Sequence, residues 1–172
     1  MAVPHDDRIR NAVSSFEEST GRMVTLLEGL NDEAARRSGP DGGWSPAQVG
    51  LHVAITNELF AGVLSGSVPM AQPAPAGFAE NPNVFSGVPP RLKTPQPLEP
   101  PNIGVTRAIA LDRLRAAHRA TIGAMRSLDE QRASGHVMQL PFGAITLYQA
   151  AEFLAPHTER HIAQIHRCTA GV

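Results

Sequence analysis

Between Pro69 and Pro101 the chain places 10 of its 15 prolines, and no other feature limits its possible folds as strongly. Each proline fixes φ and removes a backbone donor, so neither a helix nor a central strand can persist through this stretch. The fold must therefore be assembled from the segments on either side, joined by one long connection. Connections of this length serve as lids or binding segments, or simply run over the surface as extended linkers. Both readings stay open at this point. Val84, Phe85 and Leu92 are the side chains that could pin it to a core.

The flanking segments read as helices. Ile9, Val13, Phe16, Met23, Leu26, Leu27 and Leu30 recur at helical spacing and predict a long first helix from Asp7 to Arg37. Gly21 and Gly29 weaken it locally, and Asn31-Asp32-Glu33 could instead open a separate helical turn. Ser45 then stands where an N-cap belongs and Pro46 at the first helical position. The second helix carries Val49, His52, Val53, Thr56, Leu59, Phe60 and Val63 on one seam and should stop near Gly66. Beyond the prolines, a third helix is predicted from Thr106 to Glu130, with Ile109, Leu111, Leu114, Ile122, Met125 and Leu128 inward and Arg107, Arg113 and Arg119 outward. Ser134 to Gly143 reads as a turn or a short extended hairpin. Thr146 opens the last helix, which carries Leu147, Ala150, Ala151, Leu154, Ile165 and Cys168. Two helices before the connection and two after it predict an all-α four-helix bundle, a fold that builds its sites from side chains on facing helices. At 172 residues and 42% apolar composition the whole chain, 1–172, suits one domain rather than two.

Several classes of function are disfavoured. The net charge is -1, with 15 basic and 16 acidic residues and no long block of either sign, so no nucleic-acid or anionic-membrane partner is expected. No window approaches the ~20 apolar residues of a membrane span, and the stretch Met1 to Arg10 is too polar for a secretory signal. Cys168 is the only cysteine, which rules out an intrachain disulfide. A cytoplasmic protein is expected.

The last helix contains His157-Thr158-Glu159-Arg160-His161. At about 100° per residue, two histidines four apart point within roughly 40° of each other. With Leu154, Ile165 and Cys168 they form one inward stripe, an expensive place for an imidazole unless it is satisfied. His52 occupies the equivalent place on the second helix. His166, about 180° away from His157, faces outward. Such inward histidines are either hydrogen-bonded core residues or metal ligands. Three neutral imidazoles would leave open positions on Zn²⁺, Ni²⁺, Fe²⁺ or Mn²⁺, as catalytic sites do.

Trp44-Ser45-Pro46-Ala47-Gln48-Val49-Gly50-Leu51-His52 resembles the signature of the DinB/YfiT-like family, in which a Trp-Ser pair opens the second helix ahead of a histidine. His157-Thr158-Glu159-Arg160-His161-Ile162-Ala163-Gln164-Ile165 is similar to that family's second signature, H-x-x-x-H-x-x-Q-[IL]. The resemblance covers nearly the whole chain in helix order. It implies a metal-centred bundle, frequently dimeric, with His52, His157 and His161 as ligands of a divalent ion. Gln164 belongs to the pattern and would either hydrogen-bond a ligand imidazole or bound water, or pack as an interface amide. Two departures stand out. Pro156 immediately precedes His157 and could tilt it relative to His161, and the proline-rich connection is longer than a minimal family member needs.

The expected function is a metal-dependent enzyme in which the ion activates water or a low-molecular-weight thiol, for hydrolysis or thiol transfer to a small electrophile. The alternative is a non-catalytic metal-binding or dimerising bundle in a stress-related role. No catalytic side chain is assigned. Trp44 is expected to anchor the start of the second helix, Glu58 and Glu152 to be solvated or ion-paired, Glu159 to face outward and Cys168 to be inert packing. The absence of a glutamate directly after His157 argues against an H-E-x-x-H protease.

Overall fold

The computed structural model describes residues 3–39, 42–87 and 93–170. The four long helices are α1 (His5–Glu28), α3 (Pro46–Ser65), α4 (Arg107–Arg126) and α6 (Leu147–Thr169), with two short helices, α2 (Asp32–Arg36) and α5 (Glu130–Gly135). They make a four-helix bundle. α3 packs mainly on α4 and α6, and α1 on α6 and α4, whereas α1 and α3 barely meet. The first two long helices therefore occupy opposite corners, and α3 and α6 run side by side.

Local chemistry explains the boundaries. α1 does not continue to Arg37 as expected. It stops at Glu28 because the Asn31 side chain accepts from the Ala34 N–H at 2.8 Å and nucleates α2. α3 opens with a reciprocal capping box between Ser45 and Gln48. It closes at Gly66, whose φ of 85° is the left-handed conformation that glycine adopts without penalty, and the Arg132 guanidinium donates to the last-turn carbonyls of Leu64 and Val63 at 3.0 and 2.8 Å. At Gly50 the Leu27 side chain reaches across from α1 to the surface of α3, where an added Cβ would lie 2.7 Å from Leu27 Cδ1. Thr106 caps α4, but the helix ends at Arg126 rather than Glu130, because Asp129 accepts from the Arg132 N–H and starts α5. Ile109 is 46% exposed, against the expectation that it faces inward; Ala110 and Leu111 take the core positions of that first turn.

Residues Ser134 to Gly143 form the hairpin alternative in part. Strands β2 (His136–Leu140) and β3 (Gly143–Thr146) pair antiparallel with Met138 opposite Ile145, and the short β1 (Gln72–Pro73) adds to β2. Among its described residues the proline-rich connection holds β1 and two 3₁₀ turns, Val84–Gly87 and Gln96–Leu98. It is pinned rather than free. Val84 is buried and Phe85 packs on the core, while Leu92 lies outside the described residues. Arg8 fastens the connection to the bundle by pairing with Glu80 at 3.0 Å and, through two hydrogen bonds, with Glu152 on α6.

A small apolar cluster gathers Ala35, Ala47, Leu51 and Ala110, and the rest of the core among the described residues forms two large ones. One gathers Phe16, Phe60, Leu64, Met125, Met138, Ile145 and Leu154, the other Met23, Leu27, Val49, Val53, Leu114 and Ile165. Between them every long helix contributes buried polar side chains: Thr20, Thr56 and Asn57, Thr121, and Thr158. The histidines fall on this level, where His157 and His161 lie between Leu154 and Ile165, and His52 just before Thr56.

Candidate metal centre

Because α3 and α6 are neighbours, the three inward histidines meet on their seam. The ring centroids of His52 and His161 are 4.7 Å apart, those of His157 and His161 4.6 Å, and those of His52 and His157 5.4 Å. One potential ligand nitrogen from each ring lies within 4.8 Å of the other two, and among the described residues no cysteine or carboxylate joins the group. α6 runs unbroken through Pro156, so the two rings of the H-x-x-x-H pair remain adjacent.

Hydrogen bonds orient two of the rings. His52 Nδ1 lies 2.8 Å from the Leu98 carbonyl of the connection, and His161 Nδ1 lies 2.8 Å from Gln164 Oε1. Both partners are acceptors, so each Nδ1 carries the proton and each Nε2 keeps its lone pair. His157 Nδ1 is buried with no hydrogen-bond partner. Trp44 backs His52 at 5.0 Å between ring centroids, and Phe153 backs His157 at 5.2 Å.

Electrostatics favour the neutral imidazoles. Burial pushes His52 below its ordinary value, only partly opposed by the Leu98 carbonyl. Burial pushes His157 well down, with further push from His161, His52 and Arg160. Burial, then the nearby His52, hold His161 down to about 4 against the opposing bond to Gln164. At neutral pH the cluster thus presents three unprotonated nitrogens, the form in which imidazole binds a cation.

The remaining residues singled out in the sequence lie elsewhere. Glu58 is bridged by Arg113, Glu152 by Arg8, and Glu159 by Arg22 at 2.6 Å. Cys168 is half-buried with its sulfur 3.6 Å from the Trp44 carbonyl oxygen, and burial pushes its thiol up. His166 is exposed.

A pocket of about 210 Å³ opens beside the histidines. Phe60, Phe85, Phe142, Phe153, Leu98 and Leu140 supply its apolar walls, with Thr56, Thr94 and Arg160 as polar additions. Sequence reasoning missed most of this. Leu98 acts through its carbonyl, which no side-chain pattern reveals, and Phe142 and Phe153 carry no motif. Arg160, three residues after His157 on the same helix, is the one whose spacing offered a signal.

The fold and the site together define a helical bundle whose inward histidine triad could hold a metal ion next to an apolar cavity. The chain belongs to the DinB superfamily, whose family model matches residues 15–165. No curated protein sequence matches it. Its fold is similar to that of YfiT from Bacillus subtilis, described as a probable metal-dependent hydrolase with an unusual four-helix bundle topology. That likeness has a TM-score of 0.66 at 18% identity and covers 98% of this chain and 89% of the other. Among the described residues no helix is long and apolar enough to cross a membrane.

Proposed function

We propose that the protein is a metal-dependent enzyme in which His52, His157 and His161 hold one divalent cation and the adjoining pocket holds a small electrophilic substrate. The observation that carries this reading is the convergence of three neutral imidazoles, with no fourth protein ligand among the described residues, next to a cavity. A purely structural ion would more often be closed off by four protein ligands. The donor set fits a first-row cation such as Zn²⁺, Ni²⁺, Fe²⁺ or Mn²⁺, and the unpartnered His157 nitrogen is a buried polar atom that needs such a role.

When bound, such a cation supplies Lewis acidity, making water or a small thiol more acidic and polarising an electrophile. The chain's own residues do the rest. The Leu98 carbonyl and the Gln164 amide oxygen hold the protons of His52 and His161 on Nδ1 and so aim Nε2 inward. The phenylalanine walls keep water away from the substrate side, and Arg160 adds a positive charge at the pocket edge. We extend the proposal to hydrolysis or thiol transfer as the reaction, and to a homodimer as the assembly, on the strength of family membership.

The test is turnover by protein purified without a histidine tag and loaded with each of the four cations. Activated esters in water, and electrophiles with and without a low-molecular-weight thiol, are the probes. Turnover that requires the cation and disappears in His161→Ala is the expected result. Stoichiometric cation binding with no turnover on either panel would leave only a non-catalytic bundle. A monomeric mass by light scattering would remove the dimer alone.

A further inference from the structure

The chain is poor in aromatic residues, with six phenylalanines, one tyrosine and one tryptophan, yet four of those phenylalanines line the pocket beside the histidines. Phe60 comes from α3, Phe85 from the connection, Phe142 from the β2–β3 turn and Phe153 from α6. They touch as a connected set. Phe153 lies 5.5 Å from Phe60, 5.5 Å from Phe85 and 5.7 Å from Phe142 between ring centroids, and Phe85 lies 6.4 Å from Phe142. Phe60 is buried, whereas Phe85, Phe142 and Phe153 are only partly covered by protein and leave surface facing the cavity. Elsewhere the core is mainly aliphatic. Four separate elements thus deliver rings to one place beside the histidines.

Resting on the metal-enzyme reading above, we propose that the substrate carries an apolar aromatic group of about one ring, seated among these phenylalanines, with its reactive substituent turned toward His52, His157 and His161. Size supports this: a dry cavity of about 150 Å³ lined by Leu, Ile and Phe accepts benzene, and about 210 Å³ leaves room for a short substituent. Aromatic side chains prefer ring partners at offset or edge-on geometry, and the tilts among these four, from 24° to 73°, present both faces and edges.

Two probes separate this proposal from the reading beneath it. Benzyl alcohol, titrated into metal-free protein and followed by ligand-observed NMR, tests the ring site alone. It should bind, and Phe153→Ala and the volume-conserving Phe153→Leu should each weaken it at least about threefold, with circular dichroism confirming that both variants fold. Benzohydroxamic and acetohydroxamic acids, titrated into Zn²⁺-loaded protein, add a chelating head. The ring should improve affinity about tenfold, and Phe153→Leu should reduce that advantage without moving acetohydroxamate. No benzyl alcohol binding, or binding indifferent to Phe153, overturns the proposal even if both hydroxamates bind. Benzyl alcohol binding with neither hydroxamate bound supports the ring site and overturns instead the enzyme reading, in which the cation keeps an open position beside the pocket.

Discussion

Replacing Gln164 by leucine probes how the site is held together without touching a candidate ligand. Gln164 Oε1 accepts from His161 Nδ1 at 2.8 Å, and that bond decides which ring nitrogen of His161 carries the proton. Without it the imidazole is free to place the proton on Nε2, removing the lone pair, or to rotate away. One neutral hydrogen bond contributes about 1 kcal/mol, and partners that orient metal-ligating histidines change affinity by roughly 10–100-fold when removed. We therefore expect Gln164→Leu to weaken Zn²⁺ binding about tenfold, or about 1.4 kcal/mol. Because Gln164 is only half-buried, the melting temperature of the metal-free protein should barely move. Gln164→Glu, which keeps an acceptor and makes it anionic, should restore or exceed the original affinity. Competition titration against a chromophoric chelator at pH 7 measures all three proteins. Equal affinity of Gln164→Leu and the parent would refute the orienting role.

Two further outcomes follow from the structure. His161 titrates at about 4 in the folded protein against about 6.5 in an unfolded chain. Between those values the unfolded chain binds the extra proton, so stability is complete above about pH 6.5 and falls as the pH drops toward 4, by on the order of 3 kcal/mol. Denaturant melts of metal-free protein at pH 7 and pH 5 should show this loss, and an unchanged midpoint would contradict it. Gly21 in α1 and Gly123 in α4 are exposed helical positions where an added Cβ meets nothing within 4 Å. Alanine at either should raise stability by about 1 kcal/mol, seen as a melting temperature about 3 °C higher; a lower value would show that the helices need those glycines.

What was legible in advance divides by the kind of signal. Ser45-Pro46 and Thr146 marked helix starts because capping is local chemistry written in adjacent residues. The seams through His52 and through His157 and His161 were legible because a helix repeats its facing every few residues. The end of α4 was not, since Asp129 capping α5 competes with a periodicity that carries on through Leu128. Ile109 was misplaced because a first turn has no preceding turn to fix which side is covered. The connection was the least readable: proline says where a helix cannot be, but nothing about the path that brings the Leu98 carbonyl onto His52 or Phe85 into the cavity wall. Those contacts depend on where a loop lies in three dimensions, which no period encodes.

X-ray absorption at the zinc edge, on protein reconstituted with one equivalent of Zn²⁺, looks at the ion's own neighbours. Three imidazole nitrogens at about 2.0–2.1 Å with a lighter oxygen contribution, collapsing to an unbound-zinc spectrum when His52, His157 and His161 are all replaced by alanine, is the result this account predicts. A sulfur neighbour at about 2.3 Å, or a spectrum unchanged by the triple replacement, would contradict it.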